Sequence, residues 1–181
     1  MRTESIDIGN NAFSGSIPIE FVALPNLKEF SAGSNFFFGP LPIEFSFALG
    51  LEILELGPNS YTGTIPAEFA LLPNLRELRI PTTFASGVIP TELGTLQFLE
   101  VLDLSQNTLL AGTIPTELGQ ITTLVEIQLG NTVLTGSVPE EVCLIASNPE
   151  LALDTLVVDC GGDVPEVACE VPACCSACAP L

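Results

Sequence analysis

The chain has 181 residues and a net charge of −18, because 22 Asp and Glu residues stand against only 4 Lys and Arg and no His. This balance excludes proteins that hold nucleic acid by its phosphates, which need clustered cations, and it disfavours attachment to anionic lipid. Since 47% of the residues are hydrophobic, the composition predicts a folded protein of about one domain and not a disordered chain.

A repeat of 24 or 25 residues runs along the chain. Each copy carries an aliphatic residue followed by proline, with a glycine three residues before the proline and a glutamate two residues after it. Upstream come two alternating apolar residues, such as Leu54 and Leu56, and then a polar residue that is usually asparagine. Such regular spacing indicates a repeat architecture. The prolines of the copies are Pro18, Pro42, Pro66, Pro90, Pro115 and Pro139.

The most regular copy, residues 51–68, reads Leu-Glu-Ile-Leu-Glu-Leu-Gly-Pro-Asn-Ser-Tyr-Thr-Gly-Thr-Ile-Pro-Ala-Glu. This pattern resembles the leucine-rich repeat in its plant-specific subtype, over roughly residues 4–147. The resemblance implies an α/β solenoid, a right-handed superhelix with a parallel concave β-sheet, short second strands and short convex 3-10 or α-helices. We expect six coils in residues 1–147, the first one truncated, and a Cys-rich C-terminal cap and tail in residues 148–181.

The repeat positions have physical roles that agree with this fold. Alternating apolar residues point to one face of a short strand, and stacked copies make one continuous core. Proline is predicted to open each helical segment, with the glutamate in its first turn. Thr83 and Thr132 replace asparagine in two copies, where we expect fewer hydrogen bonds and greater tolerance. The asparagines predicted to bond buried backbone groups are Asn11, Asn35, Asn59 and Asn107.

The outward side chains of the concave strands are the candidate ligand-binding residues, because solenoid proteins usually hold ligands there. The face is predicted to be acidic in patches, with Ile53 and Val101 as exposed apolar residues and Arg79 as a lone cation. A column of glycines after the strands could let an extended ligand approach the backbone, and a merely solvated face is the alternative. The candidates are Asp7, Glu29, Ser31, Ile53, Glu55, Glu77, Arg79, Val101, Asp103, Glu126 and Gln128.

Hydroxyl side chains flank the glycine of most copies and suggest a second surface. Spaced regularly on one side of a solenoid, they could match an ordered lattice such as ice or a crystalline polysaccharide. Phe38, Pro40 and Ala111 interrupt the array. The hydroxyl residues are Ser14, Ser16, Thr62, Thr64, Ser86, Thr113, Thr135 and Ser137.

All six cysteines lie near the C-terminal end, Cys143 before a last strand predicted at residues 156–158 and the other five after it. An even number at the end of a solenoid indicates disulfides and an oxidising compartment, and we predict that Cys143 pairs with Cys160. A zinc site in the tail is the alternative, but it lacks two separated Cys-x-x-Cys pairs and any His, so we predict no metal. The predicted disulfide cysteines are Cys143, Cys160, Cys169, Cys174, Cys175 and Cys178.

The first residues enter in the middle of a repeat, without an apolar signal segment or a cysteine cap. An open solenoid end exposes backbone groups and core, so we expect a missing N-terminal cap or a partner chain at this end. No stretch approaches the ~20 apolar residues that a membrane span requires, and we predict no membrane span in this chain.

The sequence offers no recognisable catalytic motif. It has no Gly-rich phosphate loop, no nucleophile elbow and no His, and its carboxylate pairs, such as Glu55 with Asp103, are predicted to lie on an open surface. We therefore expect no enzyme and no cofactor. The resemblance to receptor-like protein ectodomains implies an extracellular or cell-surface recognition module for a protein, peptide or polysaccharide ligand. The alternatives are an inhibitor of secreted polysaccharide hydrolases, as similarity to polygalacturonase-inhibiting proteins implies, and a structural, adhesive or ice-binding cell-surface protein.

Overall fold

The computed structural model describes residues 3–147 and 153–159, which wind into a stack of coils. Each coil places one short strand in a first parallel sheet and another in a second parallel sheet, and then turns through a short helix. This arrangement is the predicted α/β solenoid.

The strands are numbered in chain order. They are β1 (Ser5–Asp7), β2 (Ser14–Gly15), β3 (Glu29–Ser31), β4 (Phe36–Pro40), β5 (Ile53–Glu55), β6 (Ser60–Thr64), β7 (Glu77–Arg79), β8 (Phe84–Gly87), β9 (Val101–Asp103), β10 (Leu109–Gly112), β11 (Glu126–Gln128), β12 (Val133–Leu134) and β13 (Thr155–Val157). In the described residues the 3-10 helices are Ile19–Phe21, Ile43–Phe47, Ala67–Leu71, Thr91–Thr95 and Thr116–Gln120, and the α-helix is α1 (Glu140–Ser147).

The first sheet contains the odd-numbered strands in chain order, from β1 to β13, and neighbouring strands are parallel. Equivalent repeat residues are aligned, so Leu54 lies between Phe30 and Leu78. This register keeps each repeat position in one row across the sheet. The last strand, predicted at residues 156–158, lies at Thr155–Val157 and continues the sheet beyond β11.

The second sheet contains the even-numbered strands, from β2 to β12, and its register is shifted by two residues relative to the repeat. Thr62 therefore lies beside Phe84, and Phe38 lies beside Ser60. Because side chains alternate faces with a period of two, this shift leaves every side chain on its own face.

The space between the sheets and the helices is filled by the predicted apolar ladder. Leu54, Leu56 and Leu78 are completely buried. Phe30 packs against Phe45 in the same interior, with ring centroids 4.6 Å apart. Each fully buried aliphatic side chain stabilises the folded state by about 1.5–3 kcal/mol, so a row of them along the solenoid supplies its main driving force.

The glycine before each Ile-Pro, Leu-Pro or Val-Pro pair has a backbone conformation that other residues rarely adopt. Its φ lies between 79° and 96° in every copy, a region that costs little only without a Cβ atom. The left-handed conformation of the turn therefore explains why the sequence has glycine at this position. The residues are Gly15, Gly39, Gly63, Gly87, Gly112 and Gly136.

Each 3-10 helix begins one residue after its proline. Pro66, for example, has extended backbone angles (φ −66°, ψ 125°) and precedes the helix Ala67–Leu71. The prediction that proline is itself the first helical residue is therefore off by one position. Glu68 lies in the first turn, as predicted, where a negative charge is favoured by the helix dipole.

The repeated asparagine bonds buried backbone groups in three copies and, beyond what the sequence predicts, joins neighbouring coils. Asn59 donates from Nδ2 to the carbonyl oxygens of Ala32 and Leu56, at 2.9 and 2.6 Å. Its Oδ1 accepts from the Phe37 N–H at 2.9 Å. One buried side chain thus satisfies backbone groups of two coils that would otherwise be buried unpaired. Asn35 and Asn107 likewise each donate a hydrogen bond to a carbonyl oxygen of the coil before their own, Ile8 and Ile80 respectively.

Threonine at the asparagine position makes fewer bonds. Thr132 Oγ1 donates to the Leu129 carbonyl at 3.0 Å and accepts from the Leu134 N–H at 3.5 Å, both within its own coil. Asp159, which the sequence did not single out, accepts from the N–H groups of Asn131 and Thr132 at 2.8 Å each. This carboxylate, placed just after β13, joins the Thr132 coil to the coil that follows it, as the repeated asparagine does elsewhere.

The helix α1 replaces the 3-10 turn of the last repeat. Cys143 on α1 is buried and disulfide-bonded. Its predicted partner, Cys160, lies outside the described residues, as do the four remaining cysteines of the predicted set.

Removal of a buried asparagine should destabilise the solenoid strongly. In Asn107→Ala the carbonyls of Ile80 and Leu104 and the N–H of Thr83 lose their partner, so we expect the free energy of unfolding in urea to fall by about 3 kcal/mol or more. Asn11→Ala is the matched control, because this exposed member of the same column bonds only its own coil, and it should cost less than about 1 kcal/mol. Equal losses would contradict the coil-joining role.

Tyr61 carries a buried hydroxyl group with no hydrogen-bond partner among the described residues, and burial raises its pKa. An unpartnered buried hydroxyl is costly, so we expect Tyr61→Phe to leave the free energy of unfolding unchanged or to raise it by up to about 1 kcal/mol. Tyr61→Leu, which removes the ring as well, should instead lower it. A clear loss in Tyr61→Phe, measured by urea unfolding, would reveal a partner for the hydroxyl.

Candidate binding face on the concave sheet

The first sheet brings all the predicted ligand-binding residues onto one surface. The middle residue of each strand points into the core, so the flanking residues point outward. Because the strands are in register, the outward residues form two rows. Within each row, residues of neighbouring strands lie about 4.8 Å apart. The first row holds Glu29, Ile53, Glu77, Val101 and Glu126, and the second holds Asp7, Ser31, Glu55, Arg79, Asp103 and Gln128.

Neighbouring polar groups on this face bond each other. Ser31 Oγ donates to Glu55 Oε2 at 2.8 Å. Arg79 Nε donates to Glu77 Oε2 at 2.9 Å, so the residue predicted as a lone cation is held in an ion pair on its own strand. Asp103 Oδ1 accepts hydrogen bonds from the N–H and the hydroxyl of Ser105, at 3.0 and 2.7 Å.

Val101 does not provide the exposed apolar contact that the sequence suggested. Only 8% of it is exposed, whereas Ile53 in the same row is half-buried. Val101 lies between Glu77 and Glu126 on the adjacent strands, and cross-strand neighbours lie close enough to shield a short side chain from water. The apolar part of the face is therefore smaller than predicted.

An ion-pair ladder that the sequence analysis missed lines one edge of the concave face. Lys28 Nζ lies 3.7 Å from carboxylate oxygens of both Glu4 and Glu52. Arg76 contacts Glu52 at 4.0 Å and also pairs with Glu100. The signal was present, because charges of alternating sign occupy the position just before the strand in five successive copies. Exposed pairs of this kind stabilise a fold by less than about 1 kcal/mol each.

The ladder and the Arg79–Glu77 pair engage all three cations of the described residues. Within residues 3–147 and 153–159, five carboxylates of the concave rows have no cationic partner. The face therefore keeps a net negative charge that no part of the described chain neutralises. These carboxylates are Asp7, Glu29, Glu55, Asp103 and Glu126.

The glycine column beside the second row serves the stacking of coils. Gly33 and Gly57 are buried. A Cβ atom on Gly33 would lie 2.5 Å from the Gly57 carbonyl oxygen, and one on Gly57 would overlap the carbonyl oxygen of Pro81. The column thus allows close backbone contact between coils, and the predicted access for an extended ligand is not what requires glycine there.

In the part of the chain that the structure describes, no three His, Cys, Asp or Glu side chains are grouped as they would be to hold a metal ion. None of the helices found there combines the length and the apolar character that crossing a bilayer requires. The concave rows remain the candidate site.

Comparison with known proteins agrees with the repeat. The Leucine Rich Repeat family profile matches residues 98–121. This range contains β9, β10 and the 3-10 helix Thr116–Gln120. No curated protein matches the chain. The fold is similar to that of a TDR receptor, with 34% identity and a TM-score of 0.79, over 86% of this chain and 26% of the receptor.

Two further solved structures are similar. The first is the Arabidopsis receptor kinase HAESA, in complex with the peptide hormone IDA and the co-receptor SERK1, with 34% identity and a TM-score of 0.73, over 84% of this chain and 25% of HAESA. The second is pollen receptor kinase 3, with 29% identity and a TM-score of 0.72, over 84% of this chain and 71% of the kinase structure. The chain spans about a quarter of the length of the TDR and HAESA structures.

The glycine column makes a direct prediction about coil stacking. Gly57→Ala places a methyl group against the Pro81 backbone, so we expect the free energy of unfolding to fall by about 2–3 kcal/mol. Gly130→Ala is the matched control in the same column, because its Cβ would meet a Val157 methyl group at 3.3 Å, which can shift, and Asp159 Oδ1 at an ordinary contact distance of 3.7 Å. Urea unfolding of both variants measures the difference, and similar losses would show that stacking does not require Gly57.

Proposed function

Because the chain is a leucine-rich repeat protein of the plant-specific type that resembles receptor ectodomains, we propose that it is a non-enzymatic, extracellular recognition module. In this proposal the concave face of the first sheet binds a protein or peptide ligand. Leucine-rich repeat folds of the similar structures act as receptors or binding modules, and HAESA is solved with a peptide hormone. This chain corresponds to only part of those receptors, so the proposed ligand depends on the chain's own residues.

The observation that carries the proposal is the uncompensated charge of the concave rows. Asp7, Glu29, Glu55, Asp103 and Glu126 face outward without a cation in the described residues. A ligand with Lys or Arg side chains would neutralise them, whereas an acidic ligand would be repelled. The proposed ligand is therefore a basic segment.

The dimensions of the sheet favour an extended segment. Seven strands span six inter-strand distances, which is roughly 29 Å at ~4.8 Å each. An extended chain rises about 3.3 Å per residue, so a segment of roughly nine residues could cross the whole face. Half-buried Ile53 offers such a segment one apolar contact near the middle of the solenoid.

The proposed extracellular location has separate support. Cys143 is disulfide-bonded, and structural disulfides persist in oxidising compartments and are rare in the cytosol. The chain also contains six cysteines and no His, which favours a cross-linked domain over a zinc-binding one.

The binding proposal can be tested with a synthetic 12-residue peptide of repeated Lys-Ser-Gly as the probe, and with a Glu-Ser-Gly peptide for comparison. By calorimetry we expect the basic peptide to bind and the acidic one not to bind. The affinity for the basic peptide should fall about tenfold between 50 and 300 mM NaCl, because exposed charges are screened.

Paired variants locate the site. Glu55→Gln with Asp103→Asn keeps the hydrogen-bond acceptors of the concave face but removes two charges, and should weaken peptide binding at least about fivefold. Glu92→Gln with Glu117→Gln removes the same charge from the convex helices and should change affinity less than about twofold. Equal effects of the two pairs would mean that the peptide senses only the overall charge, and the concave site would then be rejected.

A further inference from the structure

A second surface of the solenoid has a chemistry opposite to that of the concave face. The outer side of the second sheet, called the flank below, is built from residues 12–16, 36–40, 60–64, 84–88, 109–113 and 133–137. These segments contain no charged residue, although the chain has a net charge of −18. The absence extends over every coil that contributes a strand to this sheet.

Large apolar side chains project from the flank into solvent. Phe36 is 63% exposed, Phe38 is 58% exposed and Phe84 is 53% exposed. They lie outside the core, because side chains alternate between the two faces of a strand. Phe37, which follows Phe36, points inward and is buried. Exposed apolar surface gathered on one side of a soluble protein marks an interaction site. Leu109 and Val133 are the exposed apolar residues at the same repeat position on β10 and β12.

Hydroxyl groups alternate with these apolar side chains across the strands. The shifted register places Ser14 beside Phe36, Ser60 beside Phe38 and Thr62 beside Phe84. A partner lying on the flank therefore meets an aromatic ring and a hydroxyl on neighbouring strands. The hydroxyl groups predicted from the sequence therefore alternate with phenylalanine side chains on the outer side of the second sheet.

Several flank hydroxyls are fixed as hydrogen-bond acceptors. Thr62 Oγ1 donates to the Gly39 carbonyl at 3.3 Å, and Ser86 Oγ donates to the Gly63 carbonyl at 3.2 Å. Thr135 makes the same bond to the equivalent glycine of the preceding coil. A hydroxyl has one proton to donate, so each oxygen offers only its lone pairs to a partner. The flank therefore suits a partner that is rich in hydrogen-bond donors.

A groove runs along the flank at the side nearest the 3-10 helices. It has a volume of about 690 Å³ and crosses three coils. The exposed ring of Phe38 forms part of its wall, and the hydroxyls of Ser16 and Thr64 lie along it. Glu44 and Glu68 of the 3-10 helices line its other side, where they can accept hydrogen bonds from a ligand. A groove of this size admits a sugar-sized group beside an aromatic ring.

From these features we infer that the flank binds a neutral polysaccharide. Pyranose rings present apolar C–H faces that stack on aromatic rings, and their hydroxyls donate to fixed acceptors. Phe36 and Phe84 lie two strands apart and, because each pairing is offset by two residues, also four residues apart along the strand direction. Two rings at separate points of the flank can contact separate sugar units of one polymer.

The charges of the molecule argue against other occupants. An anionic polymer is repelled by the overall charge of −18, and a cationic ligand finds its counter-charges on the concave face instead. A second copy would bring two such negative bodies together. A neutral, hydroxyl-rich polymer meets none of these obstacles, and its binding depends on contacts that salt does not screen.

The test uses the whole chain and swollen amorphous cellulose, a neutral β-1,4-glucan, as the probe in a pull-down, with a polygalacturonate gel as the charged comparison. We expect the protein to bind the glucan and not the polygalacturonate, with a bound fraction that changes less than about twofold between 50 and 500 mM NaCl. Absence of glucan binding at 100 µM protein (about a hundredfold above a micromolar Kd) would overturn the inference. A tenfold loss with salt would overturn it as well.

Matched variants separate the flank from other exposed aromatic residues. Phe36→Ser with Phe84→Ser should reduce glucan affinity at least about tenfold, since stacked rings carry much of such binding. Phe47→Ser with Phe98→Ser removes two equally exposed rings outside the second sheet and should leave the affinity within about twofold. Equal losses would reject the flank as the site, and urea midpoints would show that both variants remain folded.

Two further measurements keep this inference separate from the peptide-binding proposal. The Glu55→Gln and Asp103→Asn pair should retain full glucan binding, because it alters only the concave face. Sedimentation velocity should show a monomer for both the unmodified chain and the flank variant. A dimer that is lost in the flank variant would instead assign this surface to a second copy of the chain.

Discussion

The stability of this solenoid depends on hydrogen bonds and apolar contacts that neighbouring coils share. A strand of three residues cannot satisfy its own backbone or bury its own side chains. Asn59 shows how the sharing works, since its side chain bonds the Ala32 carbonyl and the Phe37 N–H of the preceding coil as well as the Leu56 carbonyl of its own. Because each coil completes the one before it, a defect in a buried shared group should weaken the whole stack and not one coil alone.

The same constraint leaves two outward surfaces free to differ in chemistry. Core positions must be apolar and turn positions must be glycine, proline or asparagine, but outward positions of the two sheets only need to tolerate water. On the first sheet these positions carry uncompensated carboxylates such as Glu55 and Asp103, and on the second sheet they carry rings such as Phe36 and Phe84 beside hydroxyls. One stacking rule therefore supports both an acidic concave face and an uncharged flank, to which we assign different ligands by proposal.

Several expectations failed for one physical reason, which is that they depended on neighbours from other coils. Val101 was expected to be exposed, but it is shielded between two glutamate-bearing strands. The role of Gly57 became evident only from its contact with the Pro81 backbone, and the bonds of Asp159 to the preceding coil were not anticipated because Asp159 lies outside the repeat pattern.

The sequence by itself determined the period, the inward residues such as Leu54, the asparagine positions that bond buried backbone groups and the acidic character of the concave rows. All of these follow from local alternation and a fixed repeat length, which a linear pattern records directly. The tertiary structure alone decided which charges are paired, which apolar residues remain exposed and how the second sheet is offset. That offset of two residues places Thr62 beside Phe84 and not beside Ser86, and it arises from the packing of whole coils, which no single repeat encodes.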